Sequence, residues 1–387
     1  MFDFHFSIPT EIYFGKGCEE RAGALMSQYA SRVLMVYGSE RIFQMGLGEK
    51  LVSWLEEAGC TVFRLGGVKP NASTDYIRSA IELVRRKQID GILAIGGGSV
   101  MDSAKAISAG AYFEGDIVEL YSDPQAEPSR FLPVGAVVTM PATASESNEM
   151  SVISDSISGK KIARAFAQSK PKFALLNPAL TLSISCFQTA SGGFDIFAHA
   201  FERYFDLNRK SSLLDRMTLA LIKEVVETLP KVLKNPEDEG LRAELMLAAT
   251  AAHNDMLGPG GDFACHEMSH QITETFGVAH GAALAILIPA WCESVNHRAP
   301  QRFCEFFREI FGAEGTCEQE IIQNGIAALE RFIAEIGLSQ RLEIEERDFA
   351  KLAEQTLNGR LFIGWGLAGL SAADIEKIYR KCLVCVA

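Results

Sequence analysis

The sequence predicts a chain in two parts, an α/β region built on a parallel sheet followed by an all-α region. Two observations carry this. Up to about residue 182, short apolar runs alternate with amphipathic helical patterns, as an open α/β sheet requires. From about residue 183 onward no strand pattern is convincing, and long helical periodicities succeed one another.

The elements follow in order. Val33-Leu34-Met35-Val36-Tyr37 is a continuous apolar run, the signature of a strand buried on both faces. Residues 61–65 give a second strand, Gly91-Ile92-Leu93-Ala94-Ile95 a third, and Phe173-Ala174-Leu175-Leu176 the last. A helix begins near Ser73-Thr74-Asp75, which is good N-cap chemistry, and carries Ile77, Ala80, Ile81 and Val84 on one face. Asn177-Pro178 marks the boundary, giving regions 1–182 and 183–387. In the second region, Leu214, Met217, Leu221, Val225 and Leu229 line one helical face, and Pro230 should end or kink that helix. Residues 241–254 and 318–336 are further helices. The apolar stretch 282–292 contains Pro289, is too short to span a bilayer, and reads as a buried helix.

The third strand runs into Gly96-Gly97-Gly98-Ser99-Val100-Met101-Asp102. A strand, a glycine-rich turn and a helix let bare backbone amides approach a pyrophosphate, whose charge the helix N-terminus favours. Gly97, Gly98 and Ser99 are the positions for that contact. The competing reading is a tight turn with no ligand, since the glycine spacing is not G-x-G-x-x-G.

The seven histidines are unevenly placed. Asp195 and His199 are four apart, so a helix projects both from one face, and His266 and His270 repeat the spacing, with His280 ten residues on. A carboxylate with two or three imidazoles suits a divalent cation such as Fe²⁺ or Zn²⁺. By spacing alone His266 and His270 are equal candidates. The competing readings are hydrogen-bonded core histidines and Asp195 as a helix cap.

Six ordered motifs carry a resemblance. They are the segment from Ile8 to Gly17, Val68-Lys69-Pro70-Asn71-Ala72-Ser73, Gly96 to Asp102, Thr139-Met140-Pro141-Ala142-Thr143-Ala144-Ser145-Glu146-Ser147-Asn148, the D-x-x-x-H of Asp195 and His199, and the His266/His280 pair fourteen apart. Together they resemble the iron-containing (group III) alcohol dehydrogenase family, particularly its NADPH-dependent butanol dehydrogenase and aldehyde reductase branch. The resemblance implies a dinucleotide-binding α/β domain, an all-helical metal-binding and substrate domain, and a cofactor in the cleft between them. It implies Asp195, His199, His266 and His280 as ligands of one Fe²⁺ or Zn²⁺, with His270 beside the site as the candidate catalytic residue. Around the cofactor it implies Asn71, Asp102, Thr139, Thr143, Lys161 and Leu180 in addition to the glycine turn. It also implies a homodimer or larger homo-oligomer.

Cofactor preference turns on the end of the first interior strand. NAD-specific members of the family carry an Asp there, which holds the ribose hydroxyl and repels a 2′-phosphate. This chain reads Tyr37-Gly38-Ser39-Glu40-Arg41. Gly38 leaves room and Ser39 or Arg41 can donate to a phosphate oxygen, so NADP(H) is favoured over NAD(H). Ser39 as a mere helix cap is the competing reading, and Glu40 argues against a phosphate. The expected reaction is hydride transfer between NADP(H) and a short-chain alcohol or aldehyde. The alternatives are a glycerol-type polyol dehydrogenase of the same fold, or a metal-dependent lyase or hydrolase. Substrate-wall candidates include Ser147, Asn148, His253, Asp262 and Phe362, while Asn358-Gly359-Arg360 departs from the family's N-P-R.

Composition sets outer limits. A formal charge of −12 and no basic run longer than Arg85-Arg86-Lys87 disfavour nucleic acid as a partner. The opening Met1-Phe2-Asp3-Phe4-His5 lacks the pattern of a secretory segment, and no run predicts a membrane span. Nine scattered cysteines, an odd number, point to reduced thiols and a cytoplasmic setting.

Overall fold

The computed structural model describes residues 3–344, 348–367 and 369–385. The strands are β1 (Glu11–Phe14), β2 (Arg32–Tyr37), β3 (Thr61–Leu65), β4 (Ala72–Ser73), β5 (Gly91–Gly96), β6 (Val134–Val138), β7 (Met150–Ser154), β8 (Lys161–Ala165), β9 (Phe173–Leu176), β10 (Leu342–Ile344) and β11 (Leu383–Cys385). Ser7–Ser183 form one compact unit, and Ile184–Ala387 with the first residues of the chain form the other.

In the first unit six strands make a wholly parallel sheet in the order β1-β9-β6-β5-β2-β3. The interior strands are apolar throughout because both their faces are covered: Val33 to Tyr37 and all of β5, β6 and β9 are buried. The edges β1 and β3 are partly exposed. From β2 the chain steps outward to β3, then returns to lay β5 along the other side of β2. The strand order therefore reverses between β2 and β5. In open α/β sheets, ligands bind beyond the carboxyl ends of the strands at such a reversal.

The Thr74–Lys87 helix starts where its cap chemistry predicts, with Ser73 Oγ accepting from the Tyr76 amide at 3.3 Å. A second sheet, β4-β7-β8, is absent from the sequence expectations. Its strands are short and partly polar, and they find partners only through the tertiary fold: β4 pairs parallel with β7, and β7 and β8 form a hairpin.

The second unit is helical apart from β10 and β11, which pair in parallel over three residues each. Strands this short leave no period in the sequence, so none was expected after residue 183. The Ser212–Lys234 helix runs on through Pro230, which therefore does not end it. Leu229, Pro230 and Val232 are all buried, so packing offsets the hydrogen bond that proline removes. The stretch around Pro289 lies, as expected, in a buried helix, His280–Val295. Among the described residues no helix is long and apolar enough to cross a membrane.

Candidate metal centre and nucleotide-binding edge

The Cys186–Tyr204 helix is almost wholly enclosed, and its rotation is fixed by aromatic packing. Phe194, Phe197 and Phe201 repeat at helical spacing and stack in series, the last meeting Trp291 and Phe306. With that face held in the core, Asp195, His199 and Glu202 share an adjoining stripe, at spacings of four and three. Asp195 sits in mid-helix, which excludes the capping role.

Three imidazoles converge on Asp195 Oδ1. His266 Nε2, His280 Nε2 and His199 Nδ1 each lie 3.5 Å from it. Candidate ligand atoms of Asp195, His199 and His266 all fall within 4.8 Å of one another. For comparison, atoms about 2.1 Å from a tetrahedral cation stand about 3.4 Å apart.

The hydrogen bonds behind the rings decide which nitrogens face inward. His199 Nδ1 donates to the Asp195 carbonyl at 2.8 Å. Ser269 Oγ gives its hydrogen to the His266 carbonyl at 2.7 Å, so it accepts from His280 Nδ1 at 3.1 Å. His266 Nδ1 donates to a carboxylate oxygen of Glu202. Each ring thus carries a proton on Nδ1, and in the neutral form that a metal ligand takes, Nε2 is the lone pair. Asp195 Oδ1 and His266 Nε2 are buried and make no hydrogen bond. Lone pairs and a carboxylate oxygen gathered without a donor are an arrangement that a cation satisfies.

The electrostatics divide the rings: burial would lower His266, but Glu202 and Asp195 outweigh it and raise that ring to about 9. Burial opposes ionisation of Asp195, but His199, His280 and His266 outweigh it and hold the carboxyl below its usual range. Burial also pulls His199 down to about 3, with Asp195 opposing, which keeps that ring neutral.

The helices carrying the remaining histidines are placed by close backbone approach. A Cβ built on Gly281 would stand 1.8 Å from the Ser191 carbonyl oxygen, so glycine lets the His280–Val295 helix seat directly on the Cys186–Tyr204 helix. The Ala264–Phe276 helix carries His266 and His270. His270 lies outside the converging trio, its ring 5.6 Å from the His280 ring and nearly parallel to it. Sequence reasoning overlooked Glu202, although its position seven residues after Asp195 on the same helix face was available. It also overlooked Ser269, which no spacing rule identifies. His253 packs its ring 4.4 Å from His199 and takes a 3.1 Å hydrogen bond from the buried Arg203 on Nδ1. Asp262 is committed to the backbone, accepting from Ala264, Gly366 and Leu367.

In the first unit, the cofactor candidates collect at the carboxyl edge of the sheet. Gly38 and Ser39 follow β2, and Gly97, Gly98 and Ser99 follow β5 on the other side of the reversal. The Thr139 amide extends the sheet by donating to the Gly96 carbonyl at 2.9 Å. Ser99 Oγ accepts from the Asn71 amide at 3.2 Å, joining the two motifs. Thr143 closes over the glycine turn: a Cβ on Gly98 would lie 2.8 Å from its Oγ1. Leu180 sits in the short helix Pro178–Thr181 just beyond β9.

Two further candidates are held by other elements. Asp102 is engaged inside the unit, accepting from Ser145 Oγ at 2.6 Å and the Val152 amide at 3.2 Å. Lys161 opens β8 in the smaller sheet. Ser39 is not the N-cap of the next helix; Glu40 holds that place. The Glu40 carboxylate is turned back, accepting from Tyr37 Oη at 2.7 Å and lying 3.8 Å from Arg64.

Comparison with known proteins follows this division. The model of iron-containing alcohol dehydrogenases matches residues 9–178, and that of the family's C-terminal part matches 189–383. A probable NADH-dependent butanol dehydrogenase 2 of Bacillus subtilis is 36% identical over 99% of this chain and 100% of its own length. The chain belongs to the iron-containing alcohol dehydrogenase family. As a member it is a metal-dependent, NAD(P)-dependent oxidoreductase of alcohols or aldehydes. The NADPH-dependent aldehyde reductase YqhD of Escherichia coli is 32% identical over 88% of this chain and 89% of its own. The crystal structure of an NADH-dependent butanol dehydrogenase A from Thermotoga maritima superposes with a TM-score of 0.93, at 29% identity, covering 99% of both chains. Within the family, then, the names of similar proteins divide between the two nicotinamide cofactors.

Proposed function

We propose that this family member interconverts short-chain aldehydes and alcohols with NADP(H) in preference to NAD(H), at one Fe²⁺ or Zn²⁺ held by Asp195, His199, His266 and His280. The observation that carries the metal reading is the pair of buried atoms Asp195 Oδ1 and His266 Nε2, 3.5 Å apart and making no hydrogen bond, with His280 Nε2 also 3.5 Å from the carboxylate. A cation bound there supplies Lewis acidity, polarising a carbonyl or stabilising the corresponding alkoxide.

The chain's own groups do the rest. The amides of Gly97, Gly98 and Ser99 hold the pyrophosphate, with Asn71, Thr139, Thr143, Lys161 and Leu180 around the remainder of the dinucleotide and Asp102 bracing the turn. Gly38 leaves space for a 2′-phosphate and Ser39 donates to it. Glu40, tied to Tyr37, is directed away from that phosphate. His270 passes the proton that accompanies hydride transfer. The protein is proposed to act in the cytoplasm as a homodimer. A polyol dehydrogenase is the second reading, favoured by the polar residues Ser147 and Asn148 among the substrate-wall candidates.

The test is oxidation of NADPH and NADH by butanal, using protein stripped with chelator and reloaded with Fe²⁺ or Zn²⁺. Metal-dependent turnover, faster with NADPH, is expected. Faster turnover with NADH would sink the Gly38 argument, and greater activity on glycerol than on butanol would move the assignment to the polyol reading.

A further inference from the structure

Glu202 is a carboxylate with no exposure whose contacts both run to one neighbouring helix. Its Oε1 accepts from the Cys265 amide at 2.7 Å and its Oε2 accepts from His266 Nδ1. Burying a carboxylate is costly unless it is paired, so an enclosed one calls for a reason. Building on the metal reading above, we propose that Glu202 is a positioning residue that fixes His266 in its metal-binding tautomer and completes the charge balance for a divalent cation.

The tautomer argument is geometric. A carboxylate only accepts hydrogen bonds, so His266 Nδ1 must carry the proton. Nε2 is then a lone pair, and it is the atom 3.5 Å from Asp195 Oδ1. His199 and His280 are fixed the same way, but by neutral acceptors, the Asp195 carbonyl and Ser269 Oγ. The His266 Nδ1 hydrogen bond runs to an anion, and an anion there raises the ring's basicity toward the cation. The charge argument is a sum: Asp195 and Glu202 contribute two negative charges, and three neutral imidazoles contribute none. A divalent ion leaves the enclosed cluster neutral, whereas loss of Glu202 leaves one uncompensated positive charge.

An amide cannot take the place of this carboxylate. If the Gln NH₂ faces His266, Nδ1 must become the acceptor and the proton moves to Nε2, where it blocks the cation. If the amide is turned over, its NH₂ meets the Cys265 N–H, donor against donor. Glu202→Gln is therefore nearly isosteric yet disables the site in either orientation.

The experiment measures Zn²⁺ affinity of the whole chain by competition with a chelating indicator, with circular dichroism as the control for folding. Wild type is expected to bind one Zn²⁺ per chain, and Glu202→Gln to bind about 10- to 100-fold more weakly. The visible spectrum of the Co²⁺ form should shift as well, which a purely structural role would not produce. An affinity within about threefold of wild type, with an unchanged Co²⁺ spectrum, overturns the proposal. Wild type that binds no metal overturns the metal reading itself, which distinguishes the two failures. Should Glu202→Gln not fold, ¹⁵N-histidine NMR of the Zn²⁺-loaded wild type decides. A proton on Nδ1 and metal on Nε2 of His266 support the proposal, and the reverse assignment overturns it.

Discussion

Gly281 and Ser191 meet backbone to backbone, leaving no room for a methyl group between them: a Cβ on Gly281 would stand 1.8 Å from the Ser191 carbonyl oxygen. This contact seats the helix that begins at His280 against the helix that carries Asp195 and His199. Gly281→Ala must push the two apart. Overpacking of this kind costs about 1–3 kcal/mol, and here the clash is with backbone, which cannot rotate away. The expected outcome is a lower Tm together with weaker metal retention. A variant with wild-type Tm and metal content would mean that the helices yield without disturbing His280.

His270 and His280 are neighbours in space with different predicted roles. His280→Ala removes a ring whose Nε2 faces Asp195 Oδ1, so it should lower metal content measured by atomic emission. His270→Ala should leave the metal in place and lower kcat about 100-fold, a loss typical of a displaced proton-transfer group. Metal loss in the His270 variant would make it a ligand instead.

On the proposed reading, Gly38 occupies the place where an aspartate would repel a 2′-phosphate. A Cβ there meets only the Val68 carbonyl oxygen, at 3.6 Å, so Gly38→Asp should fold normally. Its kcat/KM for NADPH should fall about tenfold or more while that for NADH holds or rises. Equal losses with both cofactors would show that residue 38 does not face the phosphate.

Lys105 provides a pH test that involves none of the candidate metal ligands. Its ammonium is 1% exposed and donates to the carbonyls of Asn148 and Met150 and to Asn148 Oδ1. Burial pulls its pKa from the usual lysine range down to about 8, although Asp102 opposes the shift. Between about pH 8 and pH 10 the unfolded chain therefore holds a proton that the folded chain does not. Stability linked to this group rises with pH across that window and is lost as pH falls through about 8. Chemical denaturation of wild type and Lys105→Met should show a difference that grows in favour of wild type from neutral to alkaline pH. A difference that stays flat with pH would show that Lys105 keeps its ordinary pKa.

The sequence exposed those features that local chemistry determines. Val33 to Tyr37, residues 91–95 and Phe173 to Leu176 are apolar because the sheet buries them, and burial on both faces needs no partner to be recognised. The hairpin of β7 and β8 was invisible because Met150–Ser154 and Lys161–Ala165 become strands only once paired. Pro230 does not end its helix, since a buried helix tolerates what an isolated one does not. At the site, the i, i+4 spacing nominated His266 and His270 equally, and only the fold separates them. Glu202 shared the stripe of Asp195 and His199, but its pairing with His266 bridges 64 residues.

The sheet reversal and the histidine cluster lie on different stretches of chain: the cofactor candidates fall within residues 38–180 and the candidate ligands within 195–280. Inheritance can therefore act on them separately. On the proposed reading, exchanges at the ends of β2 and β5 alter which dinucleotide is accepted without touching the residues that would hold the ion. Relatives named for NADH and for NADPH, at 36% and 32% identity to this chain, fit a cofactor choice that is settled apart from the metal chemistry.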